Sequence, residues 1–306
     1  MIAYLLSVVG LFVIAPFLLS FIKAMKMWLL FKRPISLWQG YRNSMKLLRK
    51  ETLLSEESSR MSRVAPYLVL SPLLVALFYL PPVVHGAYYV SFVDAFTLTG
   101  LISLSTFFLM LLGLDSASAF GGMGSSREAF IAALVEPAMV LTVFAVSMMA
   151  GDLGIGQAGV NLAAHFPKEH MASFLFAAIS FFILLIAENG RIPVDNPETH
   201  LELTMVHEAM ILDIGGVYLA MVETAASVKF VIFASLFASL FMPFGLQLNP
   251  LAAVAVFVAK LFVVAAAVAL IEVNTAKLRL FKVPNLLGIA IVFAFLSLIT
   301  FYVLGA

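Results

Sequence analysis

Residues 285–305 read NLLGIAIVFAFLSLITFYVLG, a run without a charged side chain. Because a helix rises about 1.5 Å per residue, a run of this length crosses the roughly 30 Å hydrocarbon core of a bilayer. Similar runs recur along the chain, which is 63% hydrophobic and 11% charged, with a mean hydropathy of +1.08 over 306 residues. The sequence therefore predicts an all-α, polytopic membrane helix bundle, since a transmembrane barrel would show short alternating segments instead.

The apolar runs predict eight transmembrane helices within one integral membrane domain covering residues 1–306. They lie near residues 2–22, 66–84, 93–114, 129–150, 171–189, 218–243, 251–275 and 285–305. The first run lacks the basic start and small-residue cleavage site of a removable signal, so we expect it to be retained. Four loops on one side are expected near residues 23–65, 115–128, 190–217 and 276–284.

The basic residues predict the orientation. Most of the 18 Lys and Arg residues fall in those four loops, whereas the opposite side has only Lys168. The positive-inside rule therefore predicts that the four loops are cytoplasmic and that both termini lie outside. We expect a multi-pass protein of the cell inner (cytoplasmic) membrane.

The first loop contains the segment YRNSMKLLRK at residues 41–50. Its pattern is typical of a basic amphipathic helix lying at the membrane surface. Two interpretations remain open: an anchor that obeys the positive-inside rule, or a docking surface for a soluble partner.

Ionisable residues of this hydrophobic chain are concentrated in residues 187–208, AENGRIPVDNPETHLELTMVHE. Pro193 and Pro197 prevent a regular helix from continuing through this region. Asn196 before Pro197 resembles an N-cap followed by proline at the first helical position. We therefore expect the fifth span to end near Glu188 and a new helix to begin at Pro197.

The carboxyl groups of this stretch and its surroundings have two interpretations. They belong to a solvated loop, or they line a cavity, because carboxyl groups in apolar surroundings have raised pKa values and exchange protons near neutral pH. Intramembrane Glu136, Lys229, Lys260 and Glu272 point to the cavity, since each would cost on the order of 3 kcal/mol at a lipid-facing helix centre. The predicted proton path comprises Glu136, Glu188, Asp195, Glu198, His200, Glu202, Glu208, Asp213 and Glu223.

Three further residues are predicted to make structural ion pairs: Arg191, Arg127 and Glu128. We expect Arg191 to pair with one of the acids of the proton path, which would hold the loop and favour the charged form of that carboxyl group.

Enzymatic chemistry within the chain is not expected. The absence of cysteine excludes disulfides, cysteine-ligated iron–sulfur clusters and thiol catalysis. His207-Glu208 is followed by Ala209, Met210 and Ile211, so the zinc-protease pattern HExxH fails. A metal held by His200, Glu202, His207 and Glu208 is an alternative without distinctive spacing, and we predict neither catalytic residues nor a metal site.

The loop after the fifth span resembles that of the membrane subunit carrying the quinone site of respiratory complex I (the complex I subunit 1 family) and of its relatives in energy-converting [NiFe]-hydrogenases. The family pattern is approximately E-x-x-R-x-P-F-D-x-x-E-x-E-x-E-L, and Glu188, Arg191, Pro193, Asp195, Glu198, Glu202 and Leu203 fit it. Residues 113–137, GLDSASAFGGMGSSREAFIAALVEP, resemble the hydrogenase branch, as in formate hydrogenlyase. The chain departs from the pattern at Val194, His200 and Met210, where the family has Phe, a carboxylate and Glu.

This resemblance implies a non-catalytic core subunit between a peripheral redox arm and a membrane arm, coupling electron transfer to proton or ion movement. It implies that the NiFe centre and iron–sulfur clusters belong to partner chains and that this chain binds no cofactor of its own, with quinone binding left open. The expected partners are hydrogenase-like large and small subunits, a ferredoxin-like iron–sulfur subunit, antiporter-like membrane subunits and the lipid bilayer, with no nucleic acid. The docking surface is expected at Arg33, Arg42, Lys46 and Arg279.

Two other functions stay open. One is the quinone-binding subunit of a true complex I, which would receive a lipid quinone. The other is a secondary transporter with a substrate site built from Lys229, Lys260 and Glu136.

Overall fold

The computed structural model describes residues 2–55, 57–80, 94–164, 170–196, 205–245 and 249–304. These residues form helices, and none of them belongs to a β-strand. The helices are α1 (Ile2–Leu29), α2 (Gln39–Leu48), α3 (Met61–Tyr79), α4 (Ala95–Asp115), α5 (Ala119–Ala150), α6 (Ile155–Ala164), α7 (Met171–Glu188), α8 (His207–Met210), α9 (Val217–Leu240), α10 (Pro250–Asn274) and α11 (Val283–Leu304).

Eight of these helices are long and apolar enough to cross a membrane, which confirms the predicted all-α bundle. They are α1, α3, α4, α5, α7, α9, α10 and α11. We call the end at which α1 and α7 finish and α3 and α5 begin the basic end, because the predicted cytoplasmic loops lie there. The predicted limits at residues 84, 93 and 305 lie outside the described residues.

The largest boundary difference concerns the loop predicted near residues 115–128. Helix α4 continues to Asp115 and α5 begins at Ala119, so only three residues separate them. The hydroxyl group of Ser118 accepts a hydrogen bond from the Gly121 backbone N–H and caps the new helix. Arg127 and Glu128 are therefore helical residues, which hydropathy alone could not show.

Helix α9 lies at the centre of the bundle and packs against α1, α3, α7 and α10. Phe230 and Phe233 on this helix are completely buried. Beside it, hydroxyl groups connect three helices: Thr142 Oγ1 of α5 lies 2.8 Å from Ser180 Oγ of α7, which donates to the Ala290 carbonyl of α11 at 2.9 Å. Such contacts join helices that apolar packing alone holds weakly in lipid.

The predicted surface helix is present as α2, Gln39–Leu48, with one face against α1. The Gly40 backbone N–H donates to Ser20 Oγ at 2.9 Å, and the Trp38 ring lies edge-on to Phe17 at 5.7 Å. The Tyr41 hydroxyl also donates to the Val13 carbonyl. These contacts hold α2 beside α1, where it forms part of the wall of a cavity.

A charged chamber at the basic end

A chamber of about 370 Å³ opens between α1, α2, α3, α4, α5, α7, α8 and α9. Val69, Leu73 and Leu109 give it an apolar wall. The other wall is ionisable and contains Lys23, Glu128, Glu188, Arg191, His207, Glu208, Glu223 and Lys229. An apolar cavity with a few convergent polar groups is the usual form of a ligand site.

The end of α7 delivers Glu188 to this chamber. Gly190 has φ +55°, and its N–H donates to the Ala187 carbonyl while the Arg191 N–H donates to that of Ile186. This is a Schellman-type helix end, for which glycine is the favoured residue because it adopts positive φ without strain. The turn leaves Glu188 at the chamber and turns the chain back toward α10.

Glu188 forms an ion pair inside the chamber wall. Lys229 Nζ of α9 lies 2.8 Å from Glu188 Oε1, and both side chains are largely buried. Thr106 of α4 completes the group, since its hydroxyl accepts from Lys229 Nζ at 2.9 Å and donates to Glu188 Oε1 at 3.1 Å. Three helices thus converge on one hydrogen-bonded charge pair.

Arg191 makes a second buried ion pair, but with a different acid from the one predicted. The NH1 atom of Arg191 lies 3.3 Å from Glu272 Oε1 of α10. The other carboxylate oxygen of Glu272 lies 3.5 Å from Lys26 Nζ of α1. Among the described residues, the partner of Arg191 is thus an acid outside the predicted proton path, whereas its candidate partners Glu198 and Glu202 lie outside the described part of the chain. The physical reason is the turn at Gly190, which directs Arg191 toward α10 and over the Phe230 ring at 5.7 Å.

Asp195 organises the loop behind the chamber. Its carboxylate lies 2.6 Å from Lys277 Nζ and accepts from the backbone N–H groups of Asn196 at 2.8 Å and His207 at 3.3 Å. The Leu278 N–H also donates to the Pro193 carbonyl at 2.8 Å. This carboxylate therefore joins both sides of the segment 197–204 to the loop before α11.

His207 lies on the chamber wall and is partly buried. Desolvation lowers the pKa of its imidazole to about 4, and the positive charge of Lys229 acts in the same direction. The opposing effect of the Asp195 carboxylate is smaller than the desolvation. The ring is consequently neutral at pH 7, and it can relay a proton by accepting one at one nitrogen while releasing another from the other nitrogen.

The structure brings together only part of the predicted proton path. Glu188, Glu208 and Glu223 line the chamber, and Asp195 lies behind it. Asp213 is partly buried in the loop before α9 and is not among the chamber residues. Glu198, His200 and Glu202, with the helix predicted to begin at Pro197, lie outside the described residues.

Glu136 does not join the chamber. It lies on an exposed face of α5, eight residues beyond Glu128, which does line the chamber. A helix turns 100° per residue, so the two side chains differ in both direction and depth. Glu136 is therefore not one of the acids that line the chamber.

The other predicted residues have distinct surroundings. Arg127 NH1 donates to the Met205 carbonyl at 2.7 Å and attaches the loop to α5. Glu128 forms no ion pair with a residue that the structure describes. The predicted docking residues Arg33, Arg42, Lys46 and Arg279 are all exposed.

The structure also separates the residues of the transporter hypothesis. Lys229 is paired in the chamber, whereas Lys260 donates to the carbonyls of Met242 and Phe244 and lies over the Phe244 ring. Lys260 thus satisfies backbone oxygens beyond the end of α9. With Glu136 on an outer face, the three residues form no common site.

Sequence reasoning did not assign the partners that complete these ion pairs: Lys26, Lys229, Glu272 and Lys277. The sequence could have indicated that Lys229 and Glu272 need partners, since each is an ionisable residue inside an apolar span. Lys26 lay beyond the predicted first span, which in fact continues to Leu29. Within the described part of the chain, no group of three His, Asp or Glu residues is arranged to hold a metal ion.

A comparison with known protein families identifies the family of this chain. The profile described as "NADH dehydrogenase" matches residues 30–303, which is most of the chain. The chain belongs to the NADH dehydrogenase family. This confirms the resemblance inferred from the loop motif, and the matched region includes every residue of the chamber wall beyond α1.

Among curated relatives, this family member is 33% identical to "Hydrogenase-4 component C" of Escherichia coli (strain K12) over 216 residues, 70% of this chain and 66% of that protein. It is 28% identical to "Formate hydrogenlyase subunit 4" of the same organism over 302 residues, 97% of each chain. An NADH-quinone oxidoreductase subunit of Koribacter versatilis is 27% identical over 181 residues, 56% of this chain and 42% of that protein.

A solved structure shares the fold. A chain of the membrane-bound sulfane sulfur reductase (MBS), described as an archaeal respiratory membrane complex, superposes with a TM-score of 0.83 at 16% identity, covering 97% of this chain and 98% of that one. The homologues belong to multisubunit membrane complexes of the hydrogenase and complex I type. This member is accordingly a multi-pass membrane protein.

Proposed function

We propose that this chain is the membrane core subunit of a hydrogenase-type, formate hydrogenlyase-like redox complex, which anchors a peripheral electron-transfer arm and couples its reaction to proton or ion movement. The chamber is the observation that carries the proposal. Its wall places ionisable groups around a cavity, and the buried pair of Lys229 and Glu188 closes its inner side. Full-length similarity to formate hydrogenlyase subunit 4 supports the hydrogenase branch.

The chamber has a simple role in such coupling. A change of charge in the adjoining redox arm would be felt by Glu188 and Lys229, because electrostatic interactions are stronger in a partly desolvated site than in water. Neutral His207, beside Glu208, would then relay protons at the chamber, one ring nitrogen accepting a proton while the other releases one. The NiFe centre and iron–sulfur clusters would be held by partner chains, which supply the electron transfer.

The expected partners are hydrogenase-like large and small subunits and a ferredoxin-like iron–sulfur subunit at the basic end, with antiporter-like membrane subunits beside the bundle. Exposed Arg33, Arg42, Lys46 and Arg279 would dock the peripheral arm. The basic end would face the cytoplasm and both termini the opposite side of the inner membrane.

A second function, the quinone-binding subunit of complex I, is supported by the apolar wall of the chamber. Val69, Leu73 and Leu109 would contact a lipid quinone, and the volume lies within the range of small-molecule sites. The relatives named as NADH-quinone oxidoreductase subunits support the same function.

Purification of the tagged chain from its native membrane in mild detergent tests these alternatives. A complex that contains nickel and turns over hydrogen supports the hydrogenase-type function. A complex that lacks nickel and reduces quinone supports the complex I function. A stable chain that purifies without redox subunits contradicts both.

A further inference from the structure

The first two turns of helix α5 contain three glycines, Gly121, Gly122 and Gly124, within the sequence AFGGMGSS at residues 119–126. Glycine is less favourable than alanine inside a helix, so its repeated use here needs a structural reason. Gly121 packs closely against the end of α4, whereas a Cβ atom at Gly122 would meet nothing within 4 Å. Gly124 has a different neighbour, the short helix α8.

Helix α8 lies directly on a glycine surface formed by α4 and α5. A Cβ atom at Gly124 would come within 2.9 Å of the Val206 carbonyl oxygen and 3.0 Å of Met210 Cγ. A Cβ atom at Gly113 of α4 would come within 2.9 Å of the same Met210 Cγ. We call Gly113 and Gly124 the methionine socket, because Met210, which is only 1% exposed, fills the space between them.

The segment that carries α8 has two different sides. Val206, Ala209 and Met210 are buried on the side of the socket, whereas His207 and Glu208 line the chamber. One helical turn holds these two sides in a fixed relation to each other. The depth of Met210 in the socket therefore sets how far the two ionisable side chains reach into the chamber.

Hydrogen bonds attach the other end of this segment. Arg127 NH1 donates to the Met205 carbonyl at 2.7 Å, and the His207 backbone N–H donates to the Asp195 carboxylate at 3.3 Å. Both bonds hold the start of α8, whereas Met210 is its last residue. The socket thus supplies an attachment at the end of the helix, and together the contacts fix its orientation.

We propose that Met210, seated in the socket of Gly113 and Gly124, is the positioning residue that holds His207 and Glu208 at the chamber wall. The inference rests on the proposed function, in which His207 relays protons at the chamber. It gives the two glycines a part in the site, although neither contributes a side chain to the chamber.

The protonation of His207 reports the position of α8. The charged groups around its ring come from several elements: Glu128 of α5, Glu188 of α7, Arg191 and Asp195 of the following loop, Glu208 of α8 and Lys229 of α9. Desolvation is nevertheless the largest cause of the low pKa of His207. Movement of α8 out of its seat would admit water to the ring, so the pKa would rise from about 4 toward the ordinary value.

Two variants disturb the seat in opposite ways. Met210→Ala empties the socket, and Gly124→Ala fills it; the matched controls are Met123→Ala at an exposed methionine and Gly122→Ala at an open glycine. Hydrogen exchange at the C2 position of each histidine ring, followed by mass spectrometry of the full-length chain in detergent across pH, measures the titration of His207.

We expect both socket variants to raise the pKa of His207 by at least about one pH unit, and both controls to match wild type. Wild-type exchange at His170, which contacts Phe301 away from the chamber, shows that the bundle remains folded. An unchanged His207 titration in either socket variant would overturn the proposal.

Proton movement by the native complex separates this inference from the proposed function. Because the relay requires a neutral ring, we expect the socket variants to lose coupled activity at a higher pH than wild type. If the titration of His207 moves while coupled activity keeps its wild-type pH profile, the positioning role of Met210 stands and the proposed function of the chamber is contradicted.

Discussion

Lys229 Nζ and Glu188 Oε1 lie 2.8 Å apart in the inner wall of the chamber, with 12% and 7% of their side chains exposed. Each of these charges is costly to bury, because the desolvation of two ions is offset only while they remain paired. The pair therefore links the stability of the bundle to the charge state of its chamber.

Lys229→Met should destabilise the protein by roughly 3 kcal/mol, because it leaves the buried Glu188 carboxylate unpaired. Glu188→Gln in addition should restore most of the loss, since the double variant buries no isolated charge. Thermal unfolding in detergent measures both effects, with exposed Lys32→Met as the control. Equal losses of stability in the single and double variants would show that the unpaired Glu188 carboxylate does not cause the destabilisation.

The Arg191 and Arg279 side chains should respond differently to truncation. Arg191 is buried and pairs with Glu272, so Arg191→Ala should lower stability by about 3 kcal/mol. Arg279 is exposed, and Arg279→Ala should leave the melting temperature unchanged while weakening retention of the peripheral arm. A lower melting temperature for Arg279→Ala would contradict its assignment as a docking residue.

Two adjacent glycines at the start of α5 provide a matched test of helix packing. A Cβ atom at Gly121 would clash with the Gly113 carbonyl oxygen, whereas one at Gly122 would meet nothing within 4 Å. We expect Gly121→Ala to cost about 1–3 kcal/mol through overpacking. Gly122→Ala should be neutral or stabilising by up to about 1 kcal/mol. Thermal unfolding in detergent compares the two variants. Similar melting temperatures would show that α4 and α5 move apart at little cost to accommodate the added methyl group.

His207 should make the protein sensitive to mild acid. Its pKa is about 4 in the folded chain and roughly 6.5 when unfolded, so the unfolded state binds more protons between these values. Stability is therefore full above pH 6.5 and falls as the pH is lowered, by roughly 2 kcal/mol at pH 5. His207→Gln should remove this part of the pH dependence. Parallel curves of stability against pH for the wild type and the variant between pH 7.5 and 5 would refute the lowered pKa of His207.

The class of fold and the family follow from the sequence alone. Eight apolar runs long enough to span a bilayer leave the backbone no alternative to helices in lipid, and the loop from Glu188 to Asp195 carried the family pattern. Pro193 and Pro197 also predicted that α7 ends near Glu188. These properties depend on composition and on short-range spacing, which a single chain displays directly.

Which charges meet depends on the packing of the helices. Glu272 lies 81 positions from Arg191, and Thr106 lies 82 from Glu188, so local spacing contains no information about either contact. The same limitation explains Glu136: an intramembrane acid signals that it must be satisfied, but helix rotation determines whether it faces the chamber or the outer surface. The packing of α4, α5, α7, α9 and α10 fixes those rotations, and with them the chamber.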